Sequence, residues 1–260
     1  MKNPDIRLVL TDFDGTVVQF GKHEVSERVR NAVIDCENQG VKVAAVTGRY
    51  FSMAQPVLKI LGFDDLCIFD NGASIIHSRT GELVWSKWLE PDALRQVARI
   101  IAPASRLIDY TPDHEEHIPA DNESELIELI NRPASHVFGL VELDQLDAVK
   151  EQLSQVPDIT FYTAASTRGE TDCLGIQVNH VQADKYHGVH ALREITGIAR
   201  ENTLAIGDGD NDLALFRNAG LKIAMGNATD ELKAEADYVV ASVDDDGFVE
   251  AMERFVLRQQ

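Results

Sequence analysis

The chain has 260 residues, and its 43 acidic and 24 basic side chains give a formal net charge of −19 at pH 7. Hydrophobic residues make up 44% of the sequence, which excludes a disordered chain, and no apolar run approaches the roughly 18 residues of a membrane helix. Because the negative charge repels polyanions, we expect neither nucleic acid nor a membrane surface as a partner. The length is sufficient for two unequal domains.

The cysteines and the first residues indicate a cytoplasmic protein. Cys36, Cys67 and Cys173 are too far apart for a CxxC motif and lie among apolar residues, as buried thiols in a reducing compartment do. The first ten residues lack the apolar stretch of a signal peptide, because Arg7 interrupts it. We expect a cytoplasmic location and, since no interface pattern stands out, a monomer.

The first third of the chain alternates short apolar runs with helical periodicity. These runs predict strands over 7–11, 43–46 and 66–69, separated by a helix that follows Ser26 and another over 52–61. Strands of nearly continuous apolar character with helices between them are typical of a parallel sheet covered on both faces.

The middle of the chain has different signals. Asn71-Gly72 and Thr80-Gly81 are hairpin turn signals, which predict antiparallel pairing around them. Prolines are frequent from residue 91 to residue 157, between candidate helices and short strands. The candidate helices cover 92–101, 123–131 and 144–155, and the candidate strands cover 136–142, 159–163 and 173–178. This pattern predicts a separate α+β module.

The alternation of strand and helix returns after Asp184. A helix ending at Gly197 is followed by a strand over 203–206, and the predicted elements after it are a helix over 212–219 and strands over 221–225 and 237–240. We therefore predict an α/β fold with a Rossmann-like parallel-sheet core. The core would comprise residues 1–81 and 183–260, with an inserted α+β cap domain over 82–182.

Polar clusters follow three of the predicted strands at their carboxyl ends, where open parallel sheets bind ligands. The clusters are Asp12 with Asp14, then Thr47-Gly48-Arg49, and then Asp208 with Asn211 and Asp212. Carboxylates that converge repel one another, and a hard cation with oxygen ligands, such as Mg²⁺, relieves the repulsion. Because Mg²⁺ also binds phosphoryl oxygens, the clusters favour a phosphate site.

Individual residues in these clusters suit phosphoryl transfer. Thr47 and the backbone amide of Gly48 stand near a helix N-terminus, where a phosphoryl oxygen can bind, and Lys185 can neutralise the remaining charge. An aspartate can act as a nucleophile and form an aspartyl-phosphate. Asp14, two residues after Asp12, could protonate the leaving oxygen and later activate water.

These segments resemble the four motifs of the haloacid dehalogenase-like (HAD) superfamily. The segment 12–16, Asp-Phe-Asp-Gly-Thr, matches the DxDGT signature, and Val46-Thr47-Gly48-Arg49 matches the second motif as found in the Cof-type (IIB) sugar phosphatase branch. Lys185 matches the third motif, and 207–212 matches the fourth. Tyr186-His187 depart from the pattern, because a glycine usually follows the lysine. Three further segments also look like the Cof-type branch: 71–73, 224–228 and 246–249.

The resemblance implies a role for each matched residue. Asp12 would be the nucleophile and Asp14 the general acid/base, whose backbone carbonyl would also reach Mg²⁺. The other implied roles are phosphate binding (Thr47, Gly48, Lys185 and Asn211), metal binding (Asp12, Asp14 and Asp208), support of the metal shell (Asp212) and substrate contact (Arg49, Asn71 and, from its place in the cap, Arg168). The cap would close over the site and select the substrate.

Other interpretations of these residues fit less well. An Asp-x-Asp after a strand is by itself more often a turn, and only the three later motifs reverse that preference. A calcium loop is excluded over 208–219, because Leu213 stands where the loop requires glycine and Ala219 where it requires glutamate. The segment 207–212 does not fit a dinucleotide fingerprint, because Asp212 occupies the third glycine position. The segment His114-Glu115-Glu116-His117 has the wrong histidine spacing for a zinc site.

The resulting hypothesis is a Mg²⁺-dependent phosphomonoester hydrolase that acts on small phosphorylated metabolites, with sugar phosphates as the first class. Two alternatives remain open at this point. A phosphomutase or phosphotransferase on the same fold would pass the phosphoryl group to a second sugar hydroxyl, and a metal-dependent binding module would hold a ligand without turnover. The second carboxylate beside Asp12 favours an enzyme, because a binding module has no need of it.

Overall fold

A computed structural model describes residues 5–19, 25–111, 118–120, 122–165 and 171–257. Backbone contacts divide the chain into two compact units, one formed by Met1–Trp85 with Asp184–Gln260 and the other by Ser86–Ala183. Each unit has its own hydrophobic core. Arg168 and the segment from His114 to His117 lie outside the described residues.

Strands and helices follow one another along both units. The strands are β1 (Leu8–Thr11), β2 (Lys42–Ala45), β3 (Leu66–Phe69), β4 (Ser74–His77), β5 (Leu83–Ser86), β6 (Ser105–Thr111), β7 (Ile118–Ala120), β8 (His136–Glu142), β9 (Ile159–Ala165), β10 (Cys173–His180), β11 (Thr203–Gly207), β12 (Leu221–Ala224) and β13 (Tyr238–Val239). The helices are α1 (Glu27–Asn38), α2 (Phe51–Leu61), α3 (Pro91–Ile101), α4 (Glu123–Leu129), α5 (Leu146–Leu153), α6 (Lys185–Thr196), α7 (Leu213–Arg217), α8 (Asp230–Glu235) and α9 (Gly247–Phe255).

The central sheet of the first unit is parallel and has the order β13-β12-β11-β1-β2. A parallel bridge between Val46 and Ile68 continues it toward β3. The chain runs from β1 to β2 on one side, whereas β11 lies on the other side of β1 and leads to β12. The carboxyl ends of β1 and β11 therefore flank a topological switch point, where open α/β sheets bind ligands. The predicted α/β class is confirmed.

Burial explains why these segments form a covered sheet. Every residue of β1 and β11 is buried, as expected for strands with helices on both faces. The helix α1 packs against α2 and α9, and α6 packs against α7. The buried face of α1 consists of residues spaced three or four apart: Val29, Ala32, Val33 and Cys36.

A hairpin joins β3 to β4 as predicted, but its connection is longer than a two-residue turn. Phe69 pairs with Ser74, and the intervening Asp70–Gly72 forms a short 3₁₀ helix. Asp70 and Asn71 both have positive φ values, 52° and 56°, and Gly72 has 109°. This left-handed backbone brings Gly72 against the start of α6, where a Cβ on Gly72 would lie 2.0 Å from the Asp184 carbonyl oxygen.

The second unit contains an antiparallel sheet of order β7-β6-β8-β10-β9. Its core includes residues of α3 and α5 and the side chains of Val137, Ile176 and Val178. The sequence did not predict β6, because Arg106 and Asp109 interrupt its apolar residues. A register shift between Ser105 and Ile108 also disturbs its alternation of inward and outward side chains.

The three cysteines are free and buried, as expected from the sequence. Cys36 and Cys67 belong to the core of the first unit, and Cys173 begins β10 in the second. Burial raises the pKa of Cys36 and of Cys67 to about 12, so both thiols stay protonated at neutral pH. Within the described ranges, every helix is too short or too polar to span a bilayer.

Candidate active site

Asp12 and Lys185 meet in the interior of the first unit. Asp12 directly follows β1, and its backbone N–H donates to the carbonyl oxygen of Ile206 at 2.9 Å. Lys185 is the first residue of α6, and its side chain is 3% exposed. Its Nζ donates to Asp12 Oδ1 at 2.6 Å and to Asp212 Oδ1 at 2.8 Å. One ammonium group therefore neutralises charge from two buried carboxylates.

Asp212 supports the loop after β11. Its Oδ2 accepts hydrogen bonds from the backbone N–H groups of Asp208 and Gly209, both at 3.0 Å, while Oδ1 accepts from Lys185. The residue is fully buried. Because protein donors occupy both of its oxygens, Asp212 holds the loop and the lysine rather than presenting a free ligand atom.

The Asp208 carboxylate accepts two side-chain hydrogen bonds and lies close to Gly15. Thr16 Oγ1 donates to Asp208 Oδ1 at 3.4 Å, and Asn227 Nδ2 donates to Oδ2 at 3.1 Å. Gly15 leaves the space for this carboxylate, because a Cβ at that position would lie 2.1 Å from Oδ2. Gly15 also has a φ of 84°, which favours glycine. The DxDGT loop is therefore shaped around Asp208.

The carboxylates of Asp12, Asp208 and Asp212 form a compact cluster. Each contributes an oxygen, and these oxygens lie within 4.8 Å of one another. Burial, followed by repulsion from Asp212, raises the pKa of Asp208 to about 6. Burial also raises the pKa of Asp12 to about 7, although Lys185 opposes this shift. Burial by itself would lower the pKa of Lys185. Attraction to Asp12 and Asp212 outweighs that effect, so the pKa of Lys185 is raised.

This cluster fits a hard divalent cation. Asp12 and Asp208 supply carboxylate oxygens, the ligand type that Mg²⁺ prefers, and the cluster places three carboxyl groups around one ammonium group. Among the residues that the structure describes, only Lys185 provides a buried positive charge in contact with Asp12 and Asp212. A second cation would relieve the repulsion that remains.

Asp14 lies outside this cluster and forms a salt bridge with Arg49. The guanidinium group donates from Nε to Asp14 Oδ2 at 2.8 Å and from Nη2 to Asp14 Oδ1. It also stacks on the Phe13 ring, with Cζ 4.9 Å from the ring centroid. Arg49 Nη1 is buried and has no hydrogen-bond partner among the described residues. The loops after β1 and β2 are therefore joined by a bidentate ion pair.

Thr47, Gly48 and Asn71 are brought together by the loops after β2 and β3. The Thr47 N–H donates to the Ile68 carbonyl at 2.9 Å, and the Asn71 N–H donates to the Thr47 carbonyl at 3.1 Å. A Cβ on Gly48 would lie 2.8 Å from Asn71 Oδ1, so the two residues are in close contact. The Thr47 side chain is buried, and its Oγ1 accepts from the Arg49 N–H at 3.0 Å.

Two features were not anticipated from the sequence. Asn227 contacts Asp208, although the resemblance of the segment 224–228 gave it no role and it carries no charge that would single it out. Asn211 is exposed, and its side chain makes no hydrogen bond to any described residue.

The departure from the family motif at Tyr186-His187 does not disturb the backbone, because α6 begins at Lys185. The position at which α6 closely approaches the Asp70–Gly72 turn is Gly188, where a Cβ would lie 2.9 Å from the Gly72 carbonyl oxygen.

Comparison with known proteins identifies the family. The family model described as haloacid dehalogenase-like hydrolase matches residues 9–252, which is nearly the whole chain. The chain therefore belongs to the haloacid dehalogenase-like hydrolases and is of the Cof type.

Relatives of known name define the enzyme class. A 5-amino-6-(5-phospho-D-ribitylamino)uracil phosphatase of Bacillus subtilis is 29% identical, with 97% of each chain covered. A phosphoglycolate phosphatase of Methanobrevibacter smithii is 27% identical, with 97% of this chain and 100% of the relative covered. A haloacid dehalogenase-like hydrolase structure from Bacteroides thetaiotaomicron is 27% identical, with a TM-score of 0.77 over 96% of this chain and 99% of that one. The protein is a phosphatase.

Proposed function

We propose that this phosphatase is a Mg²⁺-dependent phosphomonoester hydrolase of small phosphorylated metabolites, with sugar phosphates as the leading class and an aspartyl-phosphate on Asp12 as intermediate. The observation that carries the proposal is Lys185, whose buried ammonium joins Asp12 to Asp212 beside Asp208. The Lys185 ammonium favours the anionic form of Asp12, against the burial that raises its pKa, and fixes the carboxylate at the carboxyl end of β1, as a carboxylate nucleophile requires.

Asp12 and Asp208 would hold the metal, together with the backbone carbonyl of Asp14 that the family motif implies. When bound, Mg²⁺ neutralises part of the charge on the phosphoryl oxygens and so lets an anionic nucleophile approach. Asp212 would support this site through its hydrogen bonds to the backbone of Asp208 and Gly209.

The phosphoryl group would be bound by Thr47, the Gly48 amide, Lys185 and Asn211. Asp12 attacks phosphorus, and the bond from phosphorus to the leaving oxygen breaks while the Asp14 carboxyl donates its proton to that oxygen. In the second step Asp14 takes a proton from water, the water oxygen bonds to phosphorus, and the bond to Asp12 breaks to release phosphate.

Asp14 can act in this way only when its ion pair with Arg49 opens, because the guanidinium occupies both carboxylate oxygens. Arg49 and Asn71 lie on the loops beside Thr47 and would contact the substrate. Residues 82–182 would form the cap domain that selects the leaving group, and Arg168 is its proposed substrate contact. We also propose that the protein is cytoplasmic and monomeric.

Two differently named relatives support a small phosphorylated substrate. One is a phosphatase of a phosphoribitylaminouracil and the other of phosphoglycolate, so their substrates share the phosphate ester and differ in the leaving group. Relatives that act on different phosphate esters are expected when a separate domain sets specificity.

The test is phosphate release from an aryl phosphate and a panel of sugar phosphates, with and without Mg²⁺. We expect metal-dependent turnover in the wild type and its loss in Asp12→Asn. Asp210→Asn is the matched control, because Asp210 lies in the same loop as Asp208 but pairs with Thr229 instead. Intact-mass measurement after an acid quench should find phosphate bound to the wild-type chain only.

Two results would contradict the proposal. If no phosphate ester is turned over with any divalent metal, the hydrolase assignment is wrong. If a sugar phosphate is converted to its isomer without phosphate release, the enzyme is a mutase.

A further inference from the structure

Asn227 connects three separate segments of the first unit through its side chain. Its Nδ2 donates to the Gly15 carbonyl at 2.9 Å and to Asp208 Oδ2 at 3.1 Å, and its Oδ1 accepts from the Val243 N–H at 2.8 Å. The NH₂ group faces two oxygen acceptors and the amide oxygen faces a backbone donor. This fixes the orientation of the amide, because in the flipped orientation its oxygen would face the oxygens of Gly15 and Asp208.

Backbone hydrogen bonds hold Asn227 in place independently of its side chain. The turn that carries it follows β12, and the Met225 N–H donates to the Gly207 carbonyl at 3.0 Å. On the other side of Asn227, the Thr229 N–H donates to the Asp208 carbonyl at 3.0 Å. The turn is thus attached to the loop after β11 at both ends, and a truncated side chain at 227 leaves these bonds intact.

The contact constrains the carboxylate that would bind metal. Asp208 Oδ2 lies between the Gly15 backbone and the Asn227 amide, and from the described part of the chain Oδ1 accepts only the longer Thr16 hydrogen bond at 3.4 Å. Without the Asn227 donor, the carboxylate can rotate about its bond to Cβ. Hydrogen bonds of this kind orient metal-binding carboxylates and strengthen metal binding.

We infer that Asn227 is a positioning residue of the divalent-cation site, which orients the Asp208 carboxylate and links it to the DxDGT loop and to the Val243 turn. The inference rests on the proposed function, since it takes Asp208 as a metal-binding residue. Within the described ranges, the Asn227 side chain makes no hydrogen bond to the proposed nucleophile or to the phosphoryl-binding residues.

The experiment measures Mn²⁺ binding to the full chain by the EPR signal of free Mn²⁺, for wild type, Asn227→Ala and Asp208→Asn. We expect Asn227→Ala to raise the Kd for Mn²⁺ by roughly 10–100-fold, the usual effect of removing such a supporting hydrogen bond. In parallel, the Mg²⁺ concentration for half-maximal phosphatase activity should rise by a similar factor, while kcat at saturating Mg²⁺ falls much less.

Ser242→Ala is the matched control, because it removes a hydrogen bond to Asp245 from the same turn as Val243 without touching Asp208. It should leave the Mn²⁺ Kd unchanged. Asn227→Ser is a second variant that keeps a polar side chain too short to reach Asp208, and thermal unfolding of every variant reports its folding.

The possible failures are distinguishable. If the wild type binds Mn²⁺ no better than Asp208→Asn, the metal site of the proposed function is wrong and the role of Asn227 fails with it. If the wild type binds Mn²⁺ and Asp208→Asn does not, but both Asn227 variants bind as the wild type does, only the positioning role is overturned. An equal loss in Ser242→Ala would also overturn it, because the effect would then belong to the turn.

Discussion

Lys185 carries a buried positive charge that two carboxylates of the site share. Its ammonium is buried and lies within hydrogen-bond distance of both Asp12 and Asp212, so its removal would leave two buried carboxylates facing each other. Breaking a buried ion pair on one side costs more than the pair contributes, because the remaining charge has neither water nor a partner.

We predict that Lys185→Met lowers the free energy of unfolding by about 3–5 kcal/mol and abolishes activity. The double variant Lys185→Met/Asp212→Asn should recover part of the stability but none of the activity. Urea unfolding in metal-free buffer measures the first effect. Lys59→Met is the control, because Lys59 is exposed and makes no ion pair to a described residue; equal unfolding free energies for the two variants would contradict the prediction.

The raised pKa of Asp208 predicts how stability depends on pH. A carboxyl with a pKa of about 6 in the folded state and 3.8 in its ordinary state binds its proton more tightly when folded. Its contribution to stability is therefore largest below pH 4 and is lost as the pH rises through 6. Above that pH the ionised carboxylate destabilises the metal-free protein.

Asp208→Asn should therefore raise the unfolding temperature at pH 8 in metal-free buffer, by roughly 2–4 °C for each kcal/mol relieved. The difference from wild type should vanish near pH 4. Added Mg²⁺ should reverse the order at pH 8, because it stabilises only the form that binds it. Differential scanning calorimetry at the two pH values tests this, and a difference that does not change with pH would refute the assigned cause.

Sequence reasoning found the acidic and basic members of the site more readily than their supporting contacts. Asp12 and Asp208 follow recognisable strands, so topology predicted that they would converge. Lys185 taken alone is typical of a surface charge, and only the accompanying motifs indicated that it belongs to the site. The Arg49–Asp14 ion pair and the Asn227 amide bridge depend on side-chain directions across loops that are far apart in sequence. Nothing in the local spacing specifies those directions, and their functional roles remain predictions.

At the level of elements, the start of α6 is placed by two glycines. A Cβ on Gly188 would lie 2.9 Å from the Gly72 carbonyl oxygen and 3.1 Å from Ile68 Cγ2, so the helix approaches the Asp70–Gly72 turn at backbone distance. Lys185 stands one turn before Gly188 in the same helix. The position of its ammonium therefore depends on this packing.

We predict that Gly188→Ala displaces the first turn of α6 and lowers stability by about 1–3 kcal/mol, as overpacking does. It should also lower kcat, because Lys185 moves away from Asp12. Gly197→Ala at the other end of α6 is the control: a Cβ there meets nothing within 4 Å, and its positive φ affects only the helix end. Full kcat in Gly188→Ala, or an equal loss in Gly197→Ala, would contradict the prediction.

The elements of the first unit were predicted more completely than those of the second. The first unit has strands of nearly continuous apolar character and amphipathic helices, because helices pack on both faces of its sheet, and both patterns can be recognised in a sequence. The short helix α8 was missed because its six residues, Asp230–Glu235, bury only Leu232 and so show no apolar periodicity. The strand β6 was missed because a sheet can accept charged residues where its neighbours pair with them, as Glu142 and Asp172 do with Arg106.

For the whole molecule, the two hydrophobic cores are the main organising feature. The core of the first unit draws on both the N-terminal and C-terminal parts of the chain, and the second is built from one continuous segment. The second core is the smaller of the two in buried apolar residues, and smaller cores provide less stability. The units can therefore differ in their resistance to denaturant.

The buried cysteines give the chain its own reporters of that difference. Cys36 and Cys67 are in one core and Cys173 is in the other unit. Alkylation by a brief pulse of iodoacetamide at each urea concentration would therefore report the unfolding of each unit separately. We predict that Cys173 is modified at lower urea concentration than Cys36 and Cys67, which should react together. Mass spectrometry of the peptides resolves the three sites, and identical profiles would mean that the molecule opens as a single cooperative body.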